Sequence, residues 1–352
     1  MSNFLTGMME IQLSNKKRGE ISWFTPPGIG SGNGYGYAAI EMIKALQRKN
    51  INVPFQSDTL DFNRATTAKC HISFIQPTFY QGNPEQFRVG FTPWESSEIP
   101  AEWIPKMQAM DEIWTPATWV ADIYESYGVN KTIKYMPHGF DPEVWKIHQR
   151  YSTDTFTFLH VGGPTARKGG QKVVDAFLDL FDGNLNVRLI LKSNGASEAR
   201  ILRNSFFGNA SHHPQITVYE DFMDVYELAN LYSKANCLVY PTNGEGFGLI
   251  PFQGMATGLP TIVTNATACS DFAQYGFPLK AVEAPGVGVH IGNWYEPDPS
   301  HLRELMMYVY ENFDQAKEHA MHGAVVLQSN FTWDNIADRI LGQLGDKVYE
   351  KI

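Results

Sequence analysis

The sequence has little of several things that would settle its role at once. Cysteine is scarce: three residues, at 70, 237 and 269, in a chain of 352. Their odd number and wide spacing fit neither a disulfide framework nor a metal site, which points to a reducing compartment. No apolar run reaches the roughly 18 residues of a membrane span. The opening stretch MSNFLTGMMEIQLSNKKRGE lacks the apolar core of a secretory signal. A cytoplasmic location is the expectation. Positive charge is also short, with 28 Lys and Arg against 37 Asp and Glu, a net charge of −9. This argues against a broad basic face for nucleic acid or anionic lipid but leaves room for a local basic groove. The pairs Cys70–His71 and His212–His213 have no second ligand pair beside them, so no metal is expected. Short-period repeats and low-complexity segments do not occur.

What is present describes a globular protein with 43% hydrophobic and 18% charged residues. Aromatics are abundant at 13%, so stacking surfaces are available. The length exceeds one ordinary core and predicts two domains. The segment GEISWFTPPGIGSGNGYGYAAIEMIKALQRKNINVPF reads as strand, glycine loop, helix and strand. Ala39, Met42, Ile43 and Leu46 fall on one helical face. Strand candidates CHISFIQ and FRVGFTP follow, then alternating helices and strands as far as IKYMPHGFDPEVW. The polar stretch KIHQRYSTDT interrupts the pattern near residue 150, after which FTFLHVGG, NVRLILKS, NCLVYPT and PTIVT alternate with helices. Such alternation predicts parallel sheets with helices on both faces. The expected fold is α/β, two Rossmann-like doubly wound domains facing each other across a cleft.

Three glycine loops follow predicted strands and open helices, where backbone N–H groups and the helix dipole receive anions. The first, GIGSGNGYG, includes Gly32, Asn33 and Gly34. It is not the dinucleotide fingerprint, because the third glycine position of G-x-G-x-x-G falls on Tyr35. Its alternating glycines suit close approach of the backbone to a bulky ligand on the donor side, with a mobile surface loop as the alternative. The second, HVGGPTARKGGQ, puts Arg167 and Lys168 at a helix N-terminus, unfavourable on dipole grounds unless an anion lies between them. A diphosphate fits, held in a fork by Arg and as a point charge by Lys; two solvated surface cations are the alternative. The third, NGEGFGLIPFQGMATGLP, holds one carboxylate, Glu245. That residue is placed to accept hydrogen bonds from hydroxyls on whatever the phosphate carries. Gln253, further along the helix, can bond ribose hydroxyls.

These motifs together resemble the retaining glycosyltransferases of the GT-B fold, of the group 1 or family 4 type. The likeness spans nearly the whole chain and is most specific at 243–260, which is similar to the E-x7-E segment. The resemblance implies that Glu245 contacts the donor sugar and that Gly246, Phe247, Gly248 and Leu249 line the donor site. Gln253 stands where the second glutamate normally binds ribose, a departure that removes a charge. Lys168 and Gly169 match the family's KG pair. The arginine usually found five residues before that lysine is Gly163 here, and Arg167 supplies a charge from a neighbouring position. PHGFD, WYEPD and FTWDNIADRIL resemble the interdomain turn, a late donor segment and the last helices. The implied domains are 1–149 on the acceptor side, 150–333 for the donor, and a helix at 334–352 crossing back to the first domain. In TPWESSEIP, Trp94 and Glu95 occupy the place of a histidine that faces the sugar in many relatives. His138 and His160 read as structural.

The resemblance implies transfer of a sugar from a nucleoside diphosphate sugar, UDP-linked as the first expectation, to an acceptor hydroxyl, with retention and without an obligatory metal. The nucleotide sugar is a co-substrate, so no cofactor is expected. Arg167, Lys168 and Glu245 would carry catalysis. Tyr35, Trp94 and Glu95, with Phe79 and Tyr80, would build the acceptor side. The wording GxGYGY, TPWES and RKGGQKVVDAF is similar to bacteriophage glycosyltransferases, some of which modify hydroxymethylated DNA bases. Modified DNA therefore stands beside glycans, lipids and small molecules as an acceptor, in the host cytoplasm if the chain is phage-encoded. An epimerase or phosphorylase of the same fold and a non-catalytic sugar-nucleotide binder are the rival readings. A dehydrogenase is weaker for want of the fingerprint.

Overall fold

The computed structural model describes residues 19–25, 34–56, 68–151, 154–193, 213–288 and 290–348. The chain forms two compact units. The first takes in Trp94 and everything before it, Glu98–Gly139 and the C-terminal stretch from Phe331. The second comprises Phe140–Asn330 together with the tripeptide Glu95–Ser97. The divisions thus fall at 140 and 331, where the sequence suggested 150 and 334.

The first unit carries β1 (Gly19–Phe24), α1 (Gly34–Arg48), β2 (Ile51–Asn52), β3 (Phe55–Gln56), β4 (Cys70–Phe74), β5 (Phe87–Phe91), α2 (Trp103–Gln108), β6 (Glu112–Thr115), α3 (Thr118–Ser126) and β7 (Thr132–Tyr135). The strands run parallel in the order β2-β1-β4-β5-β6-β7, with β3 also on β1. All four α1 positions expected to face the core are buried. The last long helix, Trp333–Leu344, starts with a capping box between Thr332 and Asn335. It meets α1 through Arg48–Asp334 and Lys49–Asp338, both 2.7 Å. These pairs are exposed, and each contributes about 0–1 kcal/mol.

The second unit contains β8 (Phe156–Val161), α4 (Gly170–Phe181), β9 (Val187–Lys192), β10 (Ile216–Tyr219), α5 (Val225–Lys234), β11 (Cys237–Tyr240), α6 (Leu249–Ala256), β12 (Thr261–Thr264) and β13 (Phe277–Leu279). Its strands are parallel in the order β10-β9-β8-β11-β12-β13. An antiparallel hairpin, β14 (Ala281–Pro285) with β15 (Asn293–Pro297), and two helices, α7 (Pro299–Glu311) and α8 (Phe313–Asn330), complete it. The sequence did not foresee β10, the hairpin or the extent of α8. Val173, Val174, Phe177 and Phe181 of α4 pack on Phe158, Leu189 and Leu191, and α7 adds Leu302 and Met306. Full burial of each such side chain is worth roughly 1.5–3 kcal/mol.

Arg150, in the polar stretch read as the domain boundary, is buried. Its guanidinium donates to the carbonyls of Gly258 (3.0 Å), Tyr232 (3.0 Å) and Ala235 (2.7 Å) and to Thr257 Oγ1 (3.2 Å). Those carbonyls lie at or just past the C-terminal ends of α5 and α6, where a cation complements the helix dipoles. Burial lowers its pKa, to about 10.

Candidate functional site

Chain direction explains where the site lies. β8 and β11 are neighbours in the sheet, but β8 is followed by β9 on one side and β11 by β12 on the other. At such a reversal the loops after the two strands diverge and leave a crevice at the carboxyl ends. Both conspicuous loops of the second half emerge there. The loop after β8 ends in a short 3₁₀ turn, Ala166–Lys168, and reaches α4 through Gly169. Gly169 has φ +74°, and a Cβ on it would stand 2.1 Å from the carbonyl oxygen of Pro241. Only glycine allows the loops this close. Arg167 O then accepts from the Asn243 N–H (2.8 Å) and from Thr242 Oγ1 (3.0 Å).

Glu245 is buried between these loops at 7% exposure. Its Oε1 accepts from Lys168 Nζ (2.7 Å) and Tyr240 OH (2.8 Å). Thr242 Oγ1, whose one proton is shared with Arg167 O, lies 3.1 Å away, and Arg167 Nη1 lies 3.3 Å away. The same Arg167 nitrogen donates to Gly244 O at 2.6 Å. The Glu245 N–H donates to Thr267 Oγ1 (3.1 Å), and its carbonyl accepts from Ala268 N (3.3 Å). Among the described residues the side-chain hydrogen bonds to this carboxylate all reach Oε1.

Burial pushes the Glu245 carboxyl up, but Lys168, Arg167 and the hydrogen bonds from Lys168 and Tyr240 overrule it and hold the pKa at about 2. Arg167 is pulled down by burial and raised more strongly by Glu245 and Glu95, so its charge is secure. Burial lowers Lys168 against the attraction of Glu245. At neutral pH Glu245 is therefore an anion with no proton to give. A second shell of charge lies behind it. Lys172 Nζ reaches Asn243 Oδ1 (2.8 Å) and Glu296 Oε1 (3.2 Å), and the Asn243 amide donates to Glu296.

The sequence reading kept the cations for an external anion and Glu245 for hydroxyls. The structure couples them: both cations engage Glu245 itself. Gly248, the N-cap of α6 with φ +99°, needs glycine's left-handed freedom. The α6 residue at N3 is Pro251, so the unpaired N–H donors expected of a helix start fall to Gly248, Leu249 and Ile250. Phe247 is buried against Phe252 and Phe272, 4.9 and 5.6 Å between centroids, and Gly246 is buried beside it. Gln253, buried at 4% exposure, is the fifth residue of α6, little more than one turn in. A Cβ at Gly163 would meet nothing within 4 Å, so packing does not demand glycine there.

The expected acceptor-side residues separate. Glu95 belongs to the second unit, where its Oε2 is 3.7 Å from His290 Nε2 and its charge acts on Arg167. Ser97 is stitched to Asn293 by two hydrogen bonds, of 3.0 and 2.8 Å. Trp94 belongs to the first unit. Its indole is buried against Trp103, 4.6 Å between centroids, and donates to Glu98 O at 2.6 Å, which makes it part of that core. Tyr35, also in the first unit, is half-buried and shares a 2.7 Å hydrogen bond with Thr92 Oγ1. Tyr80 is buried and Phe79 is 49% exposed. Gly34 is the exposed first residue of α1. Gly32, Asn33 and His212 lie outside the described residues. Tyr240, Thr242 and Thr267 were not foreseen as partners of Glu245.

Residues 120–340 match the family described as family 4 glycosyltransferase in conflict systems. The chain belongs to that family. A putative glycosyltransferase of a Sulfolobus islandicus filamentous virus is 21% identical over 241 residues, 65% of this chain and 65% of its own length. The chain spans 34%, 65% and 39% of the length of the first three curated relatives. Among solved structures, sucrose-phosphate synthase from Thermosynechococcus elongatus superimposes with a TM-score of 0.72 at 15% identity, over 93% of this chain and 98% of that one. HepE of Anabaena, in complex with UDP and glucose, gives 0.69 at 11% identity, over 93% and 100%. At such identities the likeness establishes the fold, which is GT-B. Within this family 4 chain, Glu245, Arg167 and Lys168 all stand at the crevice between β8 and β11.

Proposed function

We propose that this protein transfers a sugar from a nucleoside diphosphate sugar to an acceptor hydroxyl, with retention of configuration. One observation carries the reading: a permanently ionised carboxylate, Glu245, bracketed by Arg167 and Lys168 at the carboxyl edge of a doubly wound sheet. Two adjacent cations suit a diphosphate, whose charge outweighs the single carboxylate they now share. Glu245 then keeps Oε2 for hydroxyls of the sugar. With its pKa at about 2 it cannot serve as the proton donor a glycosidase requires.

In the transfer step the bond from the anomeric carbon to the diphosphate oxygen breaks while the acceptor oxygen bonds that carbon on the same face. The acceptor proton passes to the departing phosphate oxygen. Arg167 and Lys168 stabilise the charge growing on the diphosphate, and the Glu245 anion offsets the positive ring. No metal is needed for this charge balance. Gln253 takes the ribose, and UDP is the first nucleotide to try, because a structure of the same fold holds UDP and glucose. Hydroxymethylated DNA is to be tested beside glycans as acceptor.

Calorimetry with UDP and GDP, followed by a panel of nucleotide sugars with glycan and hydroxymethylated-DNA acceptors, tests the proposal. Glu245→Gln should bind UDP at least as tightly as wild type, since a competing anion is gone, while transfer falls about a hundredfold. Absence of millimolar binding by any nucleoside diphosphate would sink the reading.

A further inference from the structure

The strand residue Tyr240 has no part in the motif from which the donor site was read, yet its geometry ties it to the carboxylate. It ends β11 fully buried, and its hydroxyl lies 2.8 Å from Glu245 Oε1. Its ring is held on two sides. The Lys168 ammonium lies 5.7 Å from the centroid, and the His160 imidazole is stacked at 5.9 Å with an interplanar angle of 24°. His160 is fixed in turn: Nδ1 donates to Val239 O at 2.9 Å. We infer that Tyr240 is a positioning residue that locks Oε1 of Glu245 inward and so presents Oε2 alone to the donor sugar. The inference rests on the donor reading above.

The chemistry has one direction. Burial keeps the phenol protonated far above neutral pH, so it can only donate to the carboxylate. Lys168, Arg167 and Thr242 also reach Oε1, but the two cations must turn toward a diphosphate when the donor arrives. Thr242 has a single hydroxyl proton, for which the Arg167 carbonyl at 3.0 Å competes. Tyr240 is therefore the donor that remains to keep the carboxylate from rotating at the moment a hydroxyl must meet it. A carboxylate fixed this way offers one oxygen in one direction and distinguishes sugars by the hydroxyl placed there. Loss of the lock should therefore cost selectivity as well as rate.

Tyr240→Phe keeps the ring, the stacking and the cation contact while deleting one hydroxyl. With UDP-glucose as probe, UDP affinity should change less than about twofold, since the diphosphate contacts stay, while turnover falls on the order of tenfold, the scale of one hydrogen bond to a charged group. The acid limb of the pH profile should move up, because a carboxylate that loses a donor is easier to protonate. Discrimination between UDP-glucose and UDP-galactose should narrow. Crystal structures of wild type and Tyr240→Phe with UDP bound, where the cations have turned to the diphosphate, give an outcome independent of activity: the Glu245 carboxylate should turn or split between conformers in the variant alone. An unmoved carboxylate, or unchanged turnover with unchanged selectivity, overturns the positioning role. Wild type that turns over no nucleotide sugar, with the carboxylate displaced in the variant, overturns the donor reading and leaves the lock standing.

Discussion

In the second unit the buried Arg150 and the part-buried pair Arg167 and Lys168 are held on opposite principles. Among the described residues Arg150 meets no carboxylate. It is satisfied by three carbonyls and a hydroxyl at the ends of α5 and α6, fixed dipoles that cannot leave. Arg167 and Lys168 share a single oxygen, Oε1, of the Glu245 carboxylate. The first arrangement is closed and joins helices. The second is exchangeable: an incoming anion can take over the cations without leaving any group unpaired. Burial of a cation is therefore no sign of function until its partners are known.

This contrast can be broken by substitution. Arg150→Met should give the largest loss, on the order of 3 kcal/mol or more in unfolding free energy, because several buried acceptors lose their donor together. The protein that remains folded should bind UDP normally. Chemical denaturation beside calorimetry checks this, and a stable variant with weakened UDP binding would erase the distinction. Arg167→Ala and Lys168→Ala should show the reverse pattern. Each should lose roughly 1.5–3 kcal/mol of UDP affinity, with a smaller change in melting temperature. Unchanged affinity in both would remove them from the donor site.

The smallest effect concerns acid. Burial holds His160 neutral, with its pKa lowered from 6.5 to about 4. The unfolded chain takes up a proton in that window which the folded chain refuses, so stability is complete above pH 6.5 and lost as pH falls toward 4. Glu245, lowered from 4.5 to about 2, adds a second loss across that lower range. His160→Gln should flatten the decline of the urea midpoint between pH 6.5 and 4. It should not abolish it, since His71 and His138 are lowered in the same way, to about 4 and about 3. An unaltered slope would mean that His160 is protonated in the folded protein.

Much of the fold was readable because period and punctuation are local. Ala39, Met42, Ile43 and Leu46 announce a helix face without help from the rest of the chain. Glu245, Arg167 and Lys168 were readable for a similar reason, since charges on glycine loops beside helix starts are conspicuous. Tyr240 was not, because in NCLVYPT it looks like any aromatic strand residue and its hydroxyl acquires meaning only when Glu245 returns over it. Thr267 arrives from 22 residues beyond Glu245 in the sequence and leaves no local trace. Arg150 was passed over because a polar stretch reads as a domain boundary unless the carbonyls it seeks are known. Glu95 sits in the first half of the sequence yet packs with the second unit, which no local pattern can reveal.

The seat of Gly169 against the carbonyl of Pro241 has an evolutionary consequence. A side chain there would collide with backbone, which cannot swing aside as the end of a flexible side chain can. The two loops therefore inherit their shapes jointly. A relative that abandons glycine at this point must reroute the chain after β11 as well, so changes at 169 and 241–244 should appear together across lineages. Single changes at 169 should be found mainly in sequences that have ceased to work.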